Sequence, residues 1–467
     1  MDIFRKKDVD VLLAEAGAKS LKKTLNGVDL ILLGIGCIIG TGIFVLTGVA
    51  AAKYAGPALM LSFVLSGAAC TFAALAYAEL AAMVPIAGSA YTYSYAALGE
   101  FVAWIVGWNL ILEYTVGAST VAVGWSGYVV GLLKSGGITL PKEFTSVPMD
   151  GGMVNVPAVL IILFLTWLLV LGTKESATLN RILVIIKLAA VFIFIALAGP
   201  KVNVANWDPF MPFGFSGVAT GAAIVFFAYI GFDAVATAAE ECKNPNKDLP
   251  MGIVGSLVIC TALYIIVAAI LTGVVPYKEL NSPEPVALAL RYIGYNIGSA
   301  LVGTGALCGI TTVCLVLMFG QSRIFFAMSR DGLIPSGICE VHPKYGTPYK
   351  ITIVAGIGCA ILAGLLPIGI LAELTNIGTL FAFVVAGIGV LALRNTAPDL
   401  PRPFRCPAIN IIAPLASLSC GYLMYMLPVE TWIRFGVWSL IGIAIYFFYG
   451  YNHSHMNKLT GKANINQ

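Results

Sequence analysis

Apolar stretches of about 20 residues recur along the whole chain, separated by short polar segments. Each stretch is long enough to cross a bilayer as an α-helix, which needs about 20 predominantly apolar residues. The short alternating segments that are typical of membrane β-barrels do not occur. The pattern predicts twelve membrane spans, numbered 1 to 12 in chain order: 29–55, 58–83, 98–132, 154–173, 178–199, 216–240, 251–275, 297–328, 350–368, 370–394, 408–428 and 432–451.

The composition supports this pattern. The chain has 467 residues, of which 59% are hydrophobic and 11% are charged. Soluble proteins contain about 25% charged residues, so the sequence indicates an all-α polytopic membrane protein. Residues 1–28 are polar and basic and lack the apolar run of a cleavable signal peptide. The ten cysteines include no C-x-x-C pair, so we expect no metal site, no disulfide framework and no cofactor.

The placement of positive charge predicts the orientation of the chain. Twelve spans put both termini on one side of the membrane. If that side is the cytoplasm, 19 of the 27 Lys and Arg residues lie inside, 7 lie outside, and Lys187 lies within span 5. Cytoplasmic loops carry an excess of Lys and Arg. We therefore expect a multi-pass protein of the cell (plasma) membrane, in contact with lipid and not with nucleic acid, with both termini cytoplasmic.

Spans 1 and 6 are interrupted in the same way. Span 1 contains GIGCIIGTGIF at 34–44, and span 6 reads GAAIVFFAYIGFDAVATAAEE at 221–241. They are five spans apart, and Gly-interrupted spans at matching positions of two inverted halves indicate the central site of a transporter. The predicted segments are therefore a cytoplasmic stretch, two inverted halves, two extra spans and a cytoplasmic tail, at 1–28, 29–199, 216–394, 408–451 and 452–467.

Three interpretations compete for the glycines of span 1. A dinucleotide fingerprint requires G-x-G-x-x-G at a strand-to-helix turn, and neither the spacing nor the apolar context matches. Gly36 and Gly40 form a G-x-x-x-G pair, which is typical of close helix packing. The run Gly40-Thr41-Gly42 favours a break in the helix, because glycine adopts dihedrals that a helix forbids. Backbone amides at such a break attract an anion such as a carboxylate, and packing and breaking can coexist.

Four segments resemble the amino acid–polyamine–organocation (APC) superfamily. They are GIGCIIGTGIFVLTG in span 1, YAELAAMVPIAGSAYTY after span 2, IGFDAVATAAEECKNPNKDLPMGI from span 6 into span 7, and RIFFAMSRDGLIP with VHPKYGTPYKITI after span 8. The last two segments look most like a bacterial member of the cationic amino acid transporter branch. The resemblance implies the LeuT-type fold, a five-plus-five inverted repeat in which helices 1 and 6 are broken, here followed by two extra helices.

The same resemblance implies a substrate site at the two breaks. Amides of the first break would hold the substrate carboxylate, and carbonyls of the second would hold its amino group. Phe227 matches the position of an aromatic gate in relatives, some of which carry Trp there. The implied residues are Ile39, Gly40, Thr41 and Gly42 for the carboxylate and Phe226, Phe227, Ala228 and Ile230 for the amino group.

Ionisable residues inside spans are costly and are therefore candidates for function. Lys187 lies about nine residues into span 5, and either snorkels to the interface or exchanges a proton; proton-coupled relatives place a lysine at this position. Glu113 in span 3 is either a structural partner or an anionic wall of the substrate pocket. Asp233 either relays protons or holds the second break open. Glu79, with Glu240 and Glu241, is expected to be structural or to close a cytoplasmic gate.

The combined prediction is a secondary active transporter that moves amino acids by alternating access, with Lys187 and Asp233 coupling transport to a proton. The substrate is expected to be cationic (arginine, lysine or ornithine), small and neutral (alanine), or both. The alternatives are an amino acid exchanger, a channel and a sensor that does not transport. No nucleophile, carboxylate pair or metal set favours an enzyme. A small accessory subunit cannot be predicted from sequence.

Overall fold

The computed structural model describes residues 3–7, 25–84, 89–172, 177–233, 235 and 242–456. Glu240 and Glu241 lie outside these residues. The described part of the chain is helical and contains no β-strand, apart from one isolated parallel bridge between Leu25 and Cys242. The expectation of an all-α protein is therefore confirmed for the part of the chain that the structure covers.

Among the described residues, a helix lies within each of the predicted spans. By length and composition, seven helical stretches in the described residues are long and apolar enough to cross a membrane: Gly42–Met83, Glu100–Ser135, Ile182–Lys201, Lys247–Val274, Asn296–Arg330, Ile368–Thr396 and Val429–His453. Five apolar helices are shorter: Gly27–Ile38, Val156–Leu171, Gly214–Tyr229, Tyr349–Leu365 and Ile409–Tyr425.

Span 1 is interrupted near its middle. Its first helix, Gly27–Ile38, begins with a capping box in which the Asn26 side chain accepts hydrogen bonds from two backbone amides, a standard way to satisfy the first turn. The helix ends at Ile38, and Ile39 is extended with ψ of 108°. The chain is helical again from Thr41 and continues to Ala55 through alternating π and α turns. The interruption predicted at Gly40–Gly42 thus lies one to two residues earlier, at Ile39 and Gly40.

Span 6 is interrupted at Gly231, within the segment that the sequence predicted. The helix Gly214–Val225 tightens into a 3₁₀ turn, Phe226–Tyr229, and Ile230 is extended with ψ of 135°. Gly231 has φ of +113°, which L-residues other than glycine rarely adopt. A Cβ atom at Gly231 would lie 2.9 Å from the Cys37 carbonyl oxygen. The two interruptions are therefore in direct contact.

Long helices surround the interrupted spans. Span 3 packs along spans 8 and 10, span 7 along spans 1 and 2, and span 5 along span 8. Span 12 is attached to span 3 by two stacked indoles, Trp108 and Trp438, whose ring centroids are 4.4 Å apart. Each indole donates a hydrogen bond to the other residue's carbonyl, at 2.8 and 3.1 Å. This reciprocal arrangement fixes the register between spans 3 and 12.

Glu79 connects span 2 to span 10 and to the loop that follows. Its carboxylate is fully buried and accepts two hydrogen bonds from Arg394, at 2.7 and 2.8 Å, and one from the Cys406 amide at 2.8 Å. Arg402 approaches the same carboxylate at 3.4 Å. Burial raises the pKa of the neighbouring Cys406 thiol to about 11, so this thiol is neutral. These contacts agree with the structural role expected for Glu79.

The two ends of the described chain meet in one network, which we name the terminal clasp: residues 3–7, 91–100, 331, 446 and 454–455. Glu100 is fully buried and accepts hydrogen bonds from Arg5 at 3.2 Å, Tyr95 at 2.8 Å, Tyr446 at 2.9 Å and Ser454 at 2.5 Å. Asp331, at the end of span 8, likewise accepts from Lys7 at 2.9 Å and from Tyr91 at 2.6 Å. The clasp therefore joins both chain ends to spans 3 and 8.

Candidate binding site at the two helix interruptions

A small, narrow cavity lies between the two interruptions. Residues from spans 1, 6 and 8 line it. The predicted site residues in this lining are Gly40, Thr41, Gly42, Phe227 and Ile230, and the other lining residues are Cys37, Ile38, Val313 and Leu317. Val313 and Leu317 belong to span 8, which the sequence did not connect with the site, because apolar residues in an apolar span carry no distinguishing signal. Apart from Thr41, the lining side chains are apolar or absent.

Gly42 allows spans 1 and 6 to touch through their backbones. A Cβ atom at position 42 would collide with the Cα and Cβ atoms of Ala228. Contacts this short do not occur in real structures, so one of the two backbones would have to move. The glycine is therefore required by the close approach of the two chains, and it keeps the cavity narrow on this side.

The second half of span 1 presents the start of a helix to the cavity. The chain becomes helical again at Thr41, and the first amides of a helix have no partner within it. They also form the positive end of the helix dipole. The Thr41 hydroxyl is buried and has no hydrogen-bond partner among the described residues. This end of the cavity is suited to an anion such as a carboxylate.

The carbonyls at the end of the first span 1 helix accept hydrogen bonds from side chains of other spans. Lys187 is fully buried, and its Nζ donates to the carbonyls of Gly36 at 2.6 Å and Ile39 at 3.1 Å and lies 3.4 Å from the Thr312 hydroxyl. The amine therefore lies between spans 1, 5 and 8 and is enclosed by protein, so it does not snorkel to a membrane interface. A cation at the C-terminal end of a helix is also stabilised by the negative end of the helix dipole.

Tyr264 of span 7 links the two interruptions, and the sequence analysis did not identify it. Its hydroxyl lies 3.1 Å from the Ile38 carbonyl and 2.9 Å from the Ala228 carbonyl. Ala228 therefore faces Tyr264 and Gly42 and not the cavity, and Phe226 packs edge-on against Phe383. Of the four residues predicted to hold the amino group, Phe227 and Ile230 lie in the lining and Phe226 and Ala228 lie behind it.

Glu113 and Asp233 form a second group of polar residues outside the cavity lining. Glu113 is 3% exposed, its carboxyl lies beside the Thr379 hydroxyl, and its Oε2 has no hydrogen-bond partner in the described part of the chain. The Tyr114 hydroxyl donates to Asp233 at 3.3 Å, and the two carboxyl groups interact electrostatically. No set of three His, Cys, Asp or Glu side chains within the described ranges is arranged to hold a metal ion.

Comparison with known proteins identifies the family. The family model described as amino acid permease matches residues 25–455. The chain is 52% identical to the branched-chain amino acid permease BcaP of Bacillus subtilis, over 98% of this chain and 99% of that protein. It is 47% identical to the methylthioribose transporter of the same organism, over 98% and 99%, and 38% identical to the vacuolar cationic amino acid transporter 4 of Arabidopsis thaliana, over 85% and 68%.

These matches confirm the APC resemblance found in the four sequence motifs, and they agree with the helices described above. Both the family and the names of the relatives indicate a transporter and not an enzyme. The chain therefore belongs to the amino acid permease family of the APC superfamily and is a multi-pass membrane protein.

Proposed function

We propose that this protein is a secondary active transporter of the plasma membrane that moves amino acids by alternating access. In this proposal the chain crosses the membrane twelve times, with inverted halves at 29–199 and 216–394 and both termini in the cytoplasm. The observation that carries the proposal is the cavity in which a helix start at Thr41 faces the interrupted span 6. An amino acid has one anionic and one cationic end, and these two backbone features match them.

The substrate carboxylate binds the free amides at Gly40, Thr41 and Gly42, where the helix dipole also favours negative charge. The substrate ammonium binds carbonyl oxygens of the turn that contains Phe227 and Ile230. The Phe227 ring lies in the cavity lining, so its rotation opens or closes access to the site. Unpaired polar backbone groups inside a membrane are tolerated only where they line a cavity. The backbone groups at the two interruptions are therefore suited to bind a substrate.

The cavity walls favour a neutral substrate with an apolar side chain. Ile230, Val313 and Leu317 contribute aliphatic surface, and none of the lining residues carries a charge. The relative with 52% identity is named for branched-chain amino acids, which fits the same chemistry. A cationic substrate is the second candidate, because the unpartnered Glu113 oxygen would pair with a positively charged side chain if the cavity extends toward span 10 during transport.

Glu113→Gln separates these two candidates. Binding of leucine, alanine and arginine to the purified wild type and variant would be measured by the shift in melting temperature with amino acid concentration. A neutral site predicts the strongest binding for leucine or alanine and the same order in the variant. A cationic site predicts the strongest binding for arginine and its selective loss in the variant. Absence of binding of all three to the wild type would contradict the proposed function.

Proton coupling is assigned to Lys187, with Asp233 as a second proton-exchanging group. A protonated lysine has three N–H donors, and three acceptors from the described part of the chain lie around this amine. Deprotonation removes one donor and turns a lone pair toward an acceptor. The Ile39 carbonyl that Lys187 holds is adjacent to the Gly40 amide, so protonation and substrate binding act on the same short stretch of backbone. A protonated amine polarises this peptide unit and so favours an anion at the Gly40 amide, and linkage requires a bound carboxylate to favour the proton by the same factor.

Uptake into proteoliposomes tests the coupling. An inward proton gradient should drive accumulation of the best-bound amino acid into empty vesicles by the wild type and by Lys201→Ala, a control at an exposed lysine. Lys187→Ala should abolish accumulation. Sodium-driven uptake that persists in Lys187→Ala would contradict the assignment of proton coupling to Lys187. Transport only into vesicles preloaded with amino acid would instead indicate an exchanger, and binding without any transport would indicate a sensor.

A further inference from the structure

The side chain of Asn376 in span 10 donates hydrogen bonds to two carbonyls near the end of the span 6 helix. Its side-chain Nδ2 lies 2.7 Å from the Ala223 carbonyl and 2.9 Å from the Ile224 carbonyl. Both belong to the last three residues of the helix Gly214–Val225, which then tightens into the 3₁₀ turn Phe226–Tyr229. Carbonyls in the last turn of a helix need partners from outside it. One side chain from another span thus supplies donors at the point where the helix changes its winding.

The orientation of this amide is determined by its neighbours. Both carbonyls are acceptors, so only the NH₂ end of Asn376 can face them, and its two N–H groups suffice for both. Its Oδ1 is buried and has no hydrogen-bond partner among the described residues. Leaving a buried acceptor unpaired is unfavourable. The two hydrogen bonds from its NH₂ group to the Ala223 and Ile224 carbonyls therefore determine the position of the side chain.

Two earlier carbonyls of this helix accept hydrogen bonds from side chains in the ordinary way. The Ser66 hydroxyl of span 2 donates to the Ala222 carbonyl at 2.6 Å, and Ser62 donates to the Val218 carbonyl at 2.8 Å. Both are single donors to single carbonyls along the regular helix. Asn376 differs from them because it bridges two successive carbonyls, directly before the residues that form the cavity wall.

We propose that Asn376 is a positioning residue for the substrate site. Its amide ties the end of the span 6 helix to span 10 and so fixes where the turn containing Phe227 begins. Phe227 is three residues beyond Ile224 and lies in the cavity lining. A movement of span 10 is transmitted to the gate through these two hydrogen bonds. The inference rests on the proposed function, since it assigns a role in holding the amino acid site in its binding geometry.

The test compares two buried asparagines in the purified full-length protein. Asn109 in span 3 is also fully buried and also has an unpartnered Oδ1 within the described chain, but its Nδ2 donates to the Ile105 carbonyl of its own helix at 2.9 Å. Asn109→Ala is therefore a matched control for the loss of a buried amide. Asn376→Ala removes both donors to span 6, and Asn376→Ser retains one hydroxyl donor.

Dissociation constants for leucine, alanine and arginine are measured for each protein, together with melting temperatures without amino acid. We expect weaker binding of the best-bound amino acid by about tenfold in Asn376→Ala, which corresponds to 1.4 kcal/mol. Asn376→Ser should bind with intermediate affinity and Asn109→Ala within twofold of the wild type. The unliganded melting temperature should fall further in Asn376→Ala, which loses two hydrogen bonds between spans, than in Asn109→Ala, which loses one within its own helix.

Equal weakening in Asn109→Ala and Asn376→Ala, or wild-type affinity in Asn376→Ala, would overturn the inference. If Asn376→Ala does not fold, Asn376→Ser is compared with Asn109→Ala by the same criterion. A wild type that binds none of the three amino acids overturns the proposed function itself and this inference with it, so the two failures are distinguishable.

Discussion

At the scale of single residues, backbone atoms supply most of the polar groups around the cavity, and side chains from other spans keep them in place. Lys187 and Tyr264 donate hydrogen bonds to the carbonyls at the end of the first span 1 helix. Tyr264 also reaches the Ala228 carbonyl of span 6. Because an unpaired carbonyl in a membrane interior is costly, these bonds hold the interruptions open without a ligand. At the helix start that follows, the Thr41 hydroxyl has no partner among the described residues.

Gly42 gives the clearest test at this scale. Gly42→Ala places a methyl group against the Ala228 backbone, which must separate the two interruptions. We expect at least tenfold weaker binding of the best-bound amino acid, with normal membrane insertion. Gly421→Ala is the matched control, because a Cβ atom at Gly421 meets nothing within 4 Å, and its binding should equal that of the wild type. Unchanged binding in Gly42→Ala would show that the contact does not shape the site.

At the scale of helices, buried ion pairs connect elements that are distant in sequence. Glu79 in span 2 binds Arg394 in span 10 through two hydrogen bonds and is fully buried. By contrast, Glu340 and Lys350 form an ion pair at the surface, with both side chains solvent-exposed. Removing one partner of a buried pair leaves the other charge uncompensated and costs about 3–5 kcal/mol, whereas exposed pairs contribute little.

Glu79→Ala should therefore lower the free energy of unfolding by about 3 kcal/mol, since Arg394 is partly exposed and recovers some hydration. Glu340→Ala should leave the stability unchanged. Thermal or denaturant unfolding of the detergent-purified protein, followed by tryptophan fluorescence, measures both. Similar stability of the two variants would mean that the Arg394 pair contributes no more than a surface contact.

The helices were largely predictable from the sequence, and the contacts between them were not. Continuous apolar stretches predicted the spans, and the glycines predicted both interruptions to within two residues, because glycine is unfavourable in a regular helix. Tyr264 and Asn376 were missed because their partners are carbonyls in spans far away in sequence. A lone polar side chain in an apolar stretch does not reveal which backbone it meets. For Glu113 the sequence left a structural partner and a pocket wall as alternatives, and its carboxyl lies beside the Thr379 hydroxyl.

At the scale of the whole molecule, the terminal clasp ties both chain ends to spans 3 and 8. Arg5 and Lys7 both lie within it, and each binds a buried carboxylate. The segment also pairs through its backbone, because the Glu100 amide donates to the Arg5 carbonyl at 2.9 Å. Lys6, between them, is exposed. The three basic residues of this segment therefore differ in burial, which permits a comparison within one tripeptide.

Arg5→Ala with Lys7→Ala should destabilise the folded protein by several kcal/mol, because Glu100 and Asp331 lose their basic partners while still buried. Lys6→Ala removes the same type of charge from the same segment and should be neutral. Limited proteolysis at low protease concentration, with the rate of loss of the full-length band as the readout, measures the difference. Equal rates for the double variant and Lys6→Ala would indicate that the clasp contributes nothing to stability.

The terminal clasp also has a consequence for the order in which the protein can fold during synthesis. Arg5 and Lys7 are translated before all of these partners: Glu100 follows some 95 residues later, and Asp331, Tyr446 and Ser454 come more than 300 residues later. The hydrogen-bond network around Arg5 and Lys7 can therefore be completed only after span 12 has left the ribosome. Contacts this distant in sequence close slowly. The clasp is thus among the last structures to form, and a nascent chain that stalls before span 12 leaves Glu100 without Tyr446 and Ser454.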